Sequence, residues 1–355
     1  MLEQVTSLLI QTVGPERTAK FLDRDTPGKV HFGNRVSAQQ HAGFMTQEIR
    51  QLRSTGTLPT WQEAGLSEPP MVTHGIGVVE NRKGKLRLIV DARYLNLFIL
   101  YVLLHYENLQ DAIYQLQQGH FMWTTVLKSG YHQIPMHRDT WKYLGIESGG
   151  TIYVMPYLPF GVASACREYT DLMGAVYKPL RSQGEKLAYL IDDALGAAQD
   201  QPTANYHALT IYLLLSALGF FLSVHKCQLY PATVALFLGM TLNTIPGLTK
   251  VPDEKLQYLA EQFTRLSQQG QATPRGLAKA AGTLMSFKPG MPIAPLYTRG
   301  FYQAMAGRIE TRADWGRAAP LESLSLEDMQ WWADNLLAAN GSRQQSPSRV
   351  ACQQA

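Results

Sequence analysis

The apolar run Leu187-Ala188-Tyr189-Leu190-Ile191, the acids Asp192 and Asp193, and a second apolar run Ala194-Leu195-Gly196-Ala197-Ala198 constrain the fold more than any other stretch. Apolar arms around an abrupt Asp-Asp bury as paired strands and force the charges outward, because an unpaired buried carboxylate is very costly. The pattern predicts a β-hairpin with two carboxylates at its tip. A divalent cation is one partner for such a tip, since Mg²⁺ takes oxygen ligands from one or two carboxylates together with substrate phosphates. A plain polar turn is the other reading, because Asp is a common turn residue.

The 355 residues suffice for two or three compact units. A net charge of +4 means that any nucleic-acid surface is a local concentration of Lys and Arg. Cys166, Cys227 and Cys352 are far apart, with no CxxC and no His spacing suited to zinc, which predicts a reduced intracellular compartment. The start, MLEQVTSLLIQTVG, carries Glu3 where a secretory leader has basic charge, so secretion is not expected. The most apolar segment, Ala208 to Leu222, falls short of the ~20 apolar residues that cross a bilayer. It reads as a buried helix ending at Gly219.

Strands and helices follow one another without strict βαβ alternation, which predicts an α+β chain with a largely antiparallel sheet. Gly75 to Glu80 and Leu86 to Asp91 read as a hairpin whose tip carries Arg82, Lys83 and Lys85, with Arg87 on the second strand. Such a tip is a solvated turn or a site for a triphosphate or phosphate backbone. Tyr143 to Met155 reads as a hairpin turning at Gly149-Gly150, and Ala163 to Leu180 as a helix. Asp253–Gln268 and Pro274–Phe287 are predicted helices, the second capped by Thr273. A last helix is predicted from a capping box, Ser325 to Asp328, to near Gly341, followed by a disordered tail from Ser342.

Taken in order, LRLIVDARYLN (86–96), TTVLKSGYHQIPMH (124–137), LPFGVASACREYTDLM (158–173) and the Asp192-Asp193 hairpin resemble the palm and fingers of reverse transcriptases. ALGFFLSVHKCQL (217–229) and FLGMTLN (237–243) resemble the family's later palm segment and primer-grip hairpin. The finer likeness is to retrotransposons of the DIRS-like tyrosine-recombinase group, and MQWWADNLLAANG (329–341) looks like the lead-in to a ribonuclease H domain. The resemblance implies a right-hand polymerase fold with fingers, antiparallel-sheet palm and helical thumb. By it, residues 1–60 are an N-terminal helical extension and the start of the fingers, 61–245 fingers and palm, 246–305 thumb, and 306–355 a connection and tail.

It also implies RNA-directed DNA polymerase activity on a primed RNA or DNA template, with deoxynucleoside triphosphates, Mg²⁺ or Mn²⁺, other retroelement proteins as possible partners, and no membrane. Asp192 and Asp193 would hold the metal. Arg87, with Arg82 and Lys83, would grip the triphosphate, and the Ser129 and Gly130 amides would meet phosphates. Tyr131 would crowd a ribose 2′-hydroxyl, Phe160 with Gly161 would meet the new base pair, and Lys226 would protonate departing pyrophosphate. Asp91 and Arg93 would hold fingers to palm, unless they are a plain strand-end ion pair. The family's first metal-binding Asp falls at Val126, which has no ligand atom, so polymerisation is expected to be impaired. Leu190 replaces an aromatic residue and Cys166 a proline. A nucleic-acid-binding relic or domesticated protein is the second reading, and an unrelated phosphohydrolase the third.

Overall fold

A computed structural model describes residues 26–81, 84–100 and 102–344. The basic tip residues Arg82 and Lys83, the start of the chain, Cys352 and most of the tail lie outside the described residues. Near the N-terminal side, β1 (Val30–His31) runs parallel to β2 (Val72–His74), and helix Ala42–Ser54 buries Met45 and Ile49. β3 (Ile76–Glu80) and β4 (Leu86–Val90) form the predicted antiparallel hairpin. After β5 (Phe121–Val126), which joins another sheet, β6 (Gly145–Ser148) and β7 (Thr151–Val154) complete a sheet of order β1-β2-β6-β7. The β6–β7 turn is Gly149-Gly150, both at positive φ (59° and 76°), where glycine carries no Cβ penalty.

The acidic hairpin lies in the central antiparallel sheet, order β10-β5-β9-β8, with β8 at Lys186–Leu190, β9 at Asp193–Ala198 and β10 at Gln228–Ala232. Both faces are covered, which is why its arms read as continuous apolar runs. Trp123, Leu187 and Ala194 pack into a core with Tyr169, Val176, Ile211 and Leu215. Met122, Ala188 and Leu195 pack into a second core with Ile113, Phe237, Leu242 and Leu277. Gly196 is required across from Trp123, because a Cβ there would collide with the indole. β8 is an edge strand, and Glu107 covers it: its carboxylate accepts from Tyr189 N–H (3.0 Å) and pairs with Arg181.

The helix read from Ala208 begins earlier, at Gln201, because Asp200 caps it by accepting from Thr203 N–H (2.8 Å). It ends at Ala217, with Gly219 at φ 83°, but it is not buried all round: Tyr206, Leu209 and Leu213 face outward. Among the described residues no helix is long and apolar enough to cross a membrane.

β11 (Val234–Phe237), β12 (Met240–Asn243) and β13 (Leu248–Lys250) form an antiparallel sheet, followed by helices Asp253–Gln269, Pro274–Ser286, Arg299–Met305 and Ser323–Asn335. Thr273 caps the second as predicted, accepting from Gly276 N–H (3.1 Å). The last helix corrects the capping-box reading. It starts at Ser323, so Ser325 and Asp328 lie inside it and are buried. The Ser325 hydroxyl donates to Gly300 carbonyl O (2.9 Å) and Asp328 accepts from Gly300 N–H (2.8 Å), clasping the neighbouring helix. The tail reading is corrected at its start, where Ser342–Arg343 adds a strand to β13. Trp332 is fully buried and Trp331 stacks on Tyr297, as packing residues of this helix.

Candidate active site

The β8–β9 turn is tight enough to need a left-handed residue, and Ile191 supplies it at φ 55°. A β-branched residue there is strained, and such strain clusters at functional sites. It leaves Asp192 exposed at the turn, its carbonyl accepting from Leu127 N–H (2.9 Å). Asp193 opens β9, in register with Leu190 on one side and Val126 on the other. Burial between these strands, and then the Asp192 charge, pushes its carboxyl up to about 6, with Lys226 pulling the other way. Lys226 is exposed in a short turn before β10.

Asp192 borders a cavity of about 540 Å³ whose wall includes Ser129, Gly130, Tyr131, Phe160, Gly161 and Cys166. Ser129 is a second strained residue, at φ 53°, and it turns the chain from β5 into the short 3-10 turn Gly130–Gln133. Gly130 is fixed by space, since a Cβ would collide with the Tyr169 ring. Tyr131, 7% exposed, packs against Phe160 (ring centroids 4.7 Å) and edge-on to Tyr169 (5.1 Å). Its hydroxyl donates to Cys166 Sγ (3.0 Å), and burial raises its pKa. Phe160 is 51% exposed, an apolar ring presented to the opening.

The structure thus brings Asp192, Ser129, Gly130, Tyr131, Phe160 and Gly161 around one cavity, while Asp193 and Lys226 are not in its wall. Arg87 is exposed on β4 and is not part of the cavity wall. Asp91 and Arg93 are not among the residues of the cavity wall, and Asp91 ties the stretch before the first helix to the end of β4. Asp91 pairs with its neighbour Arg93 (2.7 Å) and with Arg35 (2.8 Å), which hold its carboxyl well below the usual range, while the Arg93 side chain is 82% exposed. Asn96, the last residue of the RYLN motif, links this stretch to the cavity wall. Its Nδ2 donates to Gly161 carbonyl O (2.9 Å) and its Oδ1 accepts from Ala163 N–H (2.8 Å), holding the Phe160 loop against the short helix Arg93–Asn96 that follows β4.

Solved structures share this architecture. The foamy viral protease-reverse transcriptase in complex with double-stranded DNA superposes with a TM-score of 0.69 at 14% identity, over 93% of this chain and 53% of that one. The same protein in complex with an RNA/DNA hybrid gives 0.68 at 15% identity, over 92% and 41%. The fold is that of a reverse transcriptase. At the sequence level the chain is 26% identical over 216 residues to polyprotein P3 of Commelina yellow mottle virus, covering 58% of this chain and 10% of that one. It is 24% identical over 219 residues to the retrovirus-related Pol polyprotein of the Drosophila melanogaster transposon gypsy, covering 61% and 20%. The chain spans roughly a tenth to a fifth of the length of these relatives. No family model matches it.

The donor set fits one divalent cation rather than a fully ligated pair. Among the described residues no three His, Cys, Asp or Glu side chains are grouped to hold a metal. Two adjacent acids are present, one of them raised towards neutrality by burial and by the other, and both gain from a cation. The residue across the strand from Asp193, Val126, offers only methyl groups.

Proposed function

We propose that this chain is the RNA-directed DNA polymerase domain of a retroelement, acting on a primed template with deoxynucleoside triphosphates inside the cell, and that Val126 impairs its chemistry. The observation that carries the reading is the strained Ile191-Asp192-Asp193 turn bordering the cavity formed by Ser129, Gly130, Tyr131, Phe160 and Gly161. Asp192 and Asp193 would hold Mg²⁺ or Mn²⁺, which supplies charge neutralisation of the triphosphate and acidification of the primer 3′-hydroxyl. The Ser129 and Gly130 amides, at the head of a 3-10 turn, are donors for phosphate oxygens. Phe160 is the surface for a base, and Tyr131 is the wall against the sugar. Lys226 would give a proton to departing pyrophosphate, while Arg87 on β4, together with Arg82 and Lys83, would meet the triphosphate.

The motifs RYLN and LPFG, and the LGF-to-QL stretch, support a DIRS-like origin, and residues 329–341 the lead-in to a ribonuclease H domain. On this reading residues 61–245 are fingers and palm, 246–305 the thumb and 306–355 the connection. Mg²⁺-dependent primer extension on an RNA template, comparing the chain with Val126→Asp, tests the assignment.

Val126 favours a second reading, a nucleic-acid-binding protein without catalysis. Primer–template binding uses phosphate charge and duplex shape, so it survives loss of a metal ligand. Salt-sensitive binding with no extension by either protein supports that reading over the first.

A further inference from the structure

The Tyr131 ring sits between Phe160 and Tyr169, and its hydroxyl is tied to Cys166. Cys166 belongs to the first turn of helix Ala165–Ser182, and Tyr169, three residues on, shares its face. The thiol and the Tyr169 ring therefore come from one rigid element. Tyr169 gives Tyr131 only a ring contact, because its own buried hydroxyl has no partner among the described residues. The chain behind Tyr131 is the left-handed Ser129 followed by a short 3-10 turn, and the ring itself is held by Phe160, Tyr169 and the Cys166 thiol.

We propose that Cys166 is a positioning residue for Tyr131, and that it sets how strictly the cavity separates deoxyribonucleoside from ribonucleoside triphosphates. This rests on the reading of the cavity as a nucleotide pocket. An apolar wall rejects a ligand that merely carries an extra hydroxyl only to the extent that the wall does not yield. Here the Tyr131 hydroxyl is anchored through sulfur to the helix, so the ring keeps its place against the sugar. A proline at 166, which the family resemblance implies as usual, has no side-chain acceptor, so the anchor is a device of this chain.

The test uses the full chain bound to a dideoxy-terminated primer on an RNA template in Mg²⁺. The affinities of dATP and ATP opposite a template uridine are measured by resistance of the complex to a competitor, which needs no chemistry. Cys166→Ala is expected to lower the dATP preference by roughly threefold to tenfold, the scale of one hydrogen bond, chiefly through tighter ATP binding. Cys166→Ser, which keeps an acceptor, restores part of the preference. Tyr131→Phe acts in the same direction, and the double variant adds little to either single change, since both break one interaction. An unchanged preference in Cys166→Ala, or additive effects in the double variant, overturns the proposal while leaving the nucleotide pocket standing. If the parent binds neither nucleotide, the pocket reading itself falls, and this inference with it.

Discussion

Val126 on β5 lies directly across the ladder from Asp193 on β9. Opposed residues of antiparallel strands project from the same face with Cβ atoms about 4.5–5.5 Å apart. The valine methyls therefore face the carboxylate, and Leu190 opposes it from the other strand. These apolar neighbours account for the burial that makes Asp193 hard to ionise. An aspartate at 126 would stand on the same face and add a third carboxylate to the proposed metal site.

Asp193→Asn is expected to stabilise the metal-free protein at pH 7.5 by about 1–2 kcal/mol, a discounted value for a partly exposed group. The sign follows from a folded pKa of about 6 against 3.8 for the free group. Below about pH 4 both states are protonated and there is no penalty. It grows as pH rises towards 6 and is complete above it. Urea melts of both proteins from pH 4 to 7.5 check this, and a gap independent of pH contradicts it.

Mg²⁺ is expected to raise the melting temperature more at pH 7.5 than at pH 5, because protonated Asp193 is a poor ligand. A thermal-shift titration with MgCl₂ at the two pH values measures the difference. Asp192→Asn and Asp193→Asn should each weaken the response at pH 7.5.

Asn96→Ala is expected to cost about 1–2 kcal/mol by leaving the Gly161 carbonyl and the Ala163 N–H without their partner. The loss should also free the Phe160 loop, read as faster proteolysis between Leu158 and Ala163. Equal stability and equal cleavage would remove Asn96 from its assigned role.

Much of the site was legible because its signals are local. Charges between two apolar arms required a hairpin, and Gly149-Gly150 required a turn. The long-range partners were not legible. Arg35 pairs with Asp91 across 56 positions, and Asn96 reaches Gly161 across 65, with no periodicity to betray either. Ser325 and Asp328 misled for a physical reason: Ser-x-x-Asp is the pattern of a capping box and equally of two polar residues on one helix face. Ser342–Arg343 read as tail because edge pairing uses backbone groups that composition does not report.

The Gly300 clasp gives a prediction that separates these readings. Ser325→Ala should destabilise by about 1 kcal/mol through a buried hydrogen bond. Gly300→Ala should cost more than about 2 kcal/mol, since its Cβ would lie 2.8 Å from Asp328 Oδ2 and 2.7 Å from Leu324 O. Chemical denaturation of both variants measures this, and a tolerated Gly300→Ala rules the clasp out.

The central claim is that a polymerase-type metal site survives here with one carboxylate missing at Val126. Primer extension on an RNA template in Mg²⁺, run side by side for the chain and for Val126→Asp, tests it most directly. The account predicts little or no synthesis by the chain and a gain of at least about a hundredfold in the variant, the scale of one preorganised electrostatic contact. Robust synthesis by the unaltered chain, equal to that of Val126→Asp, would contradict it.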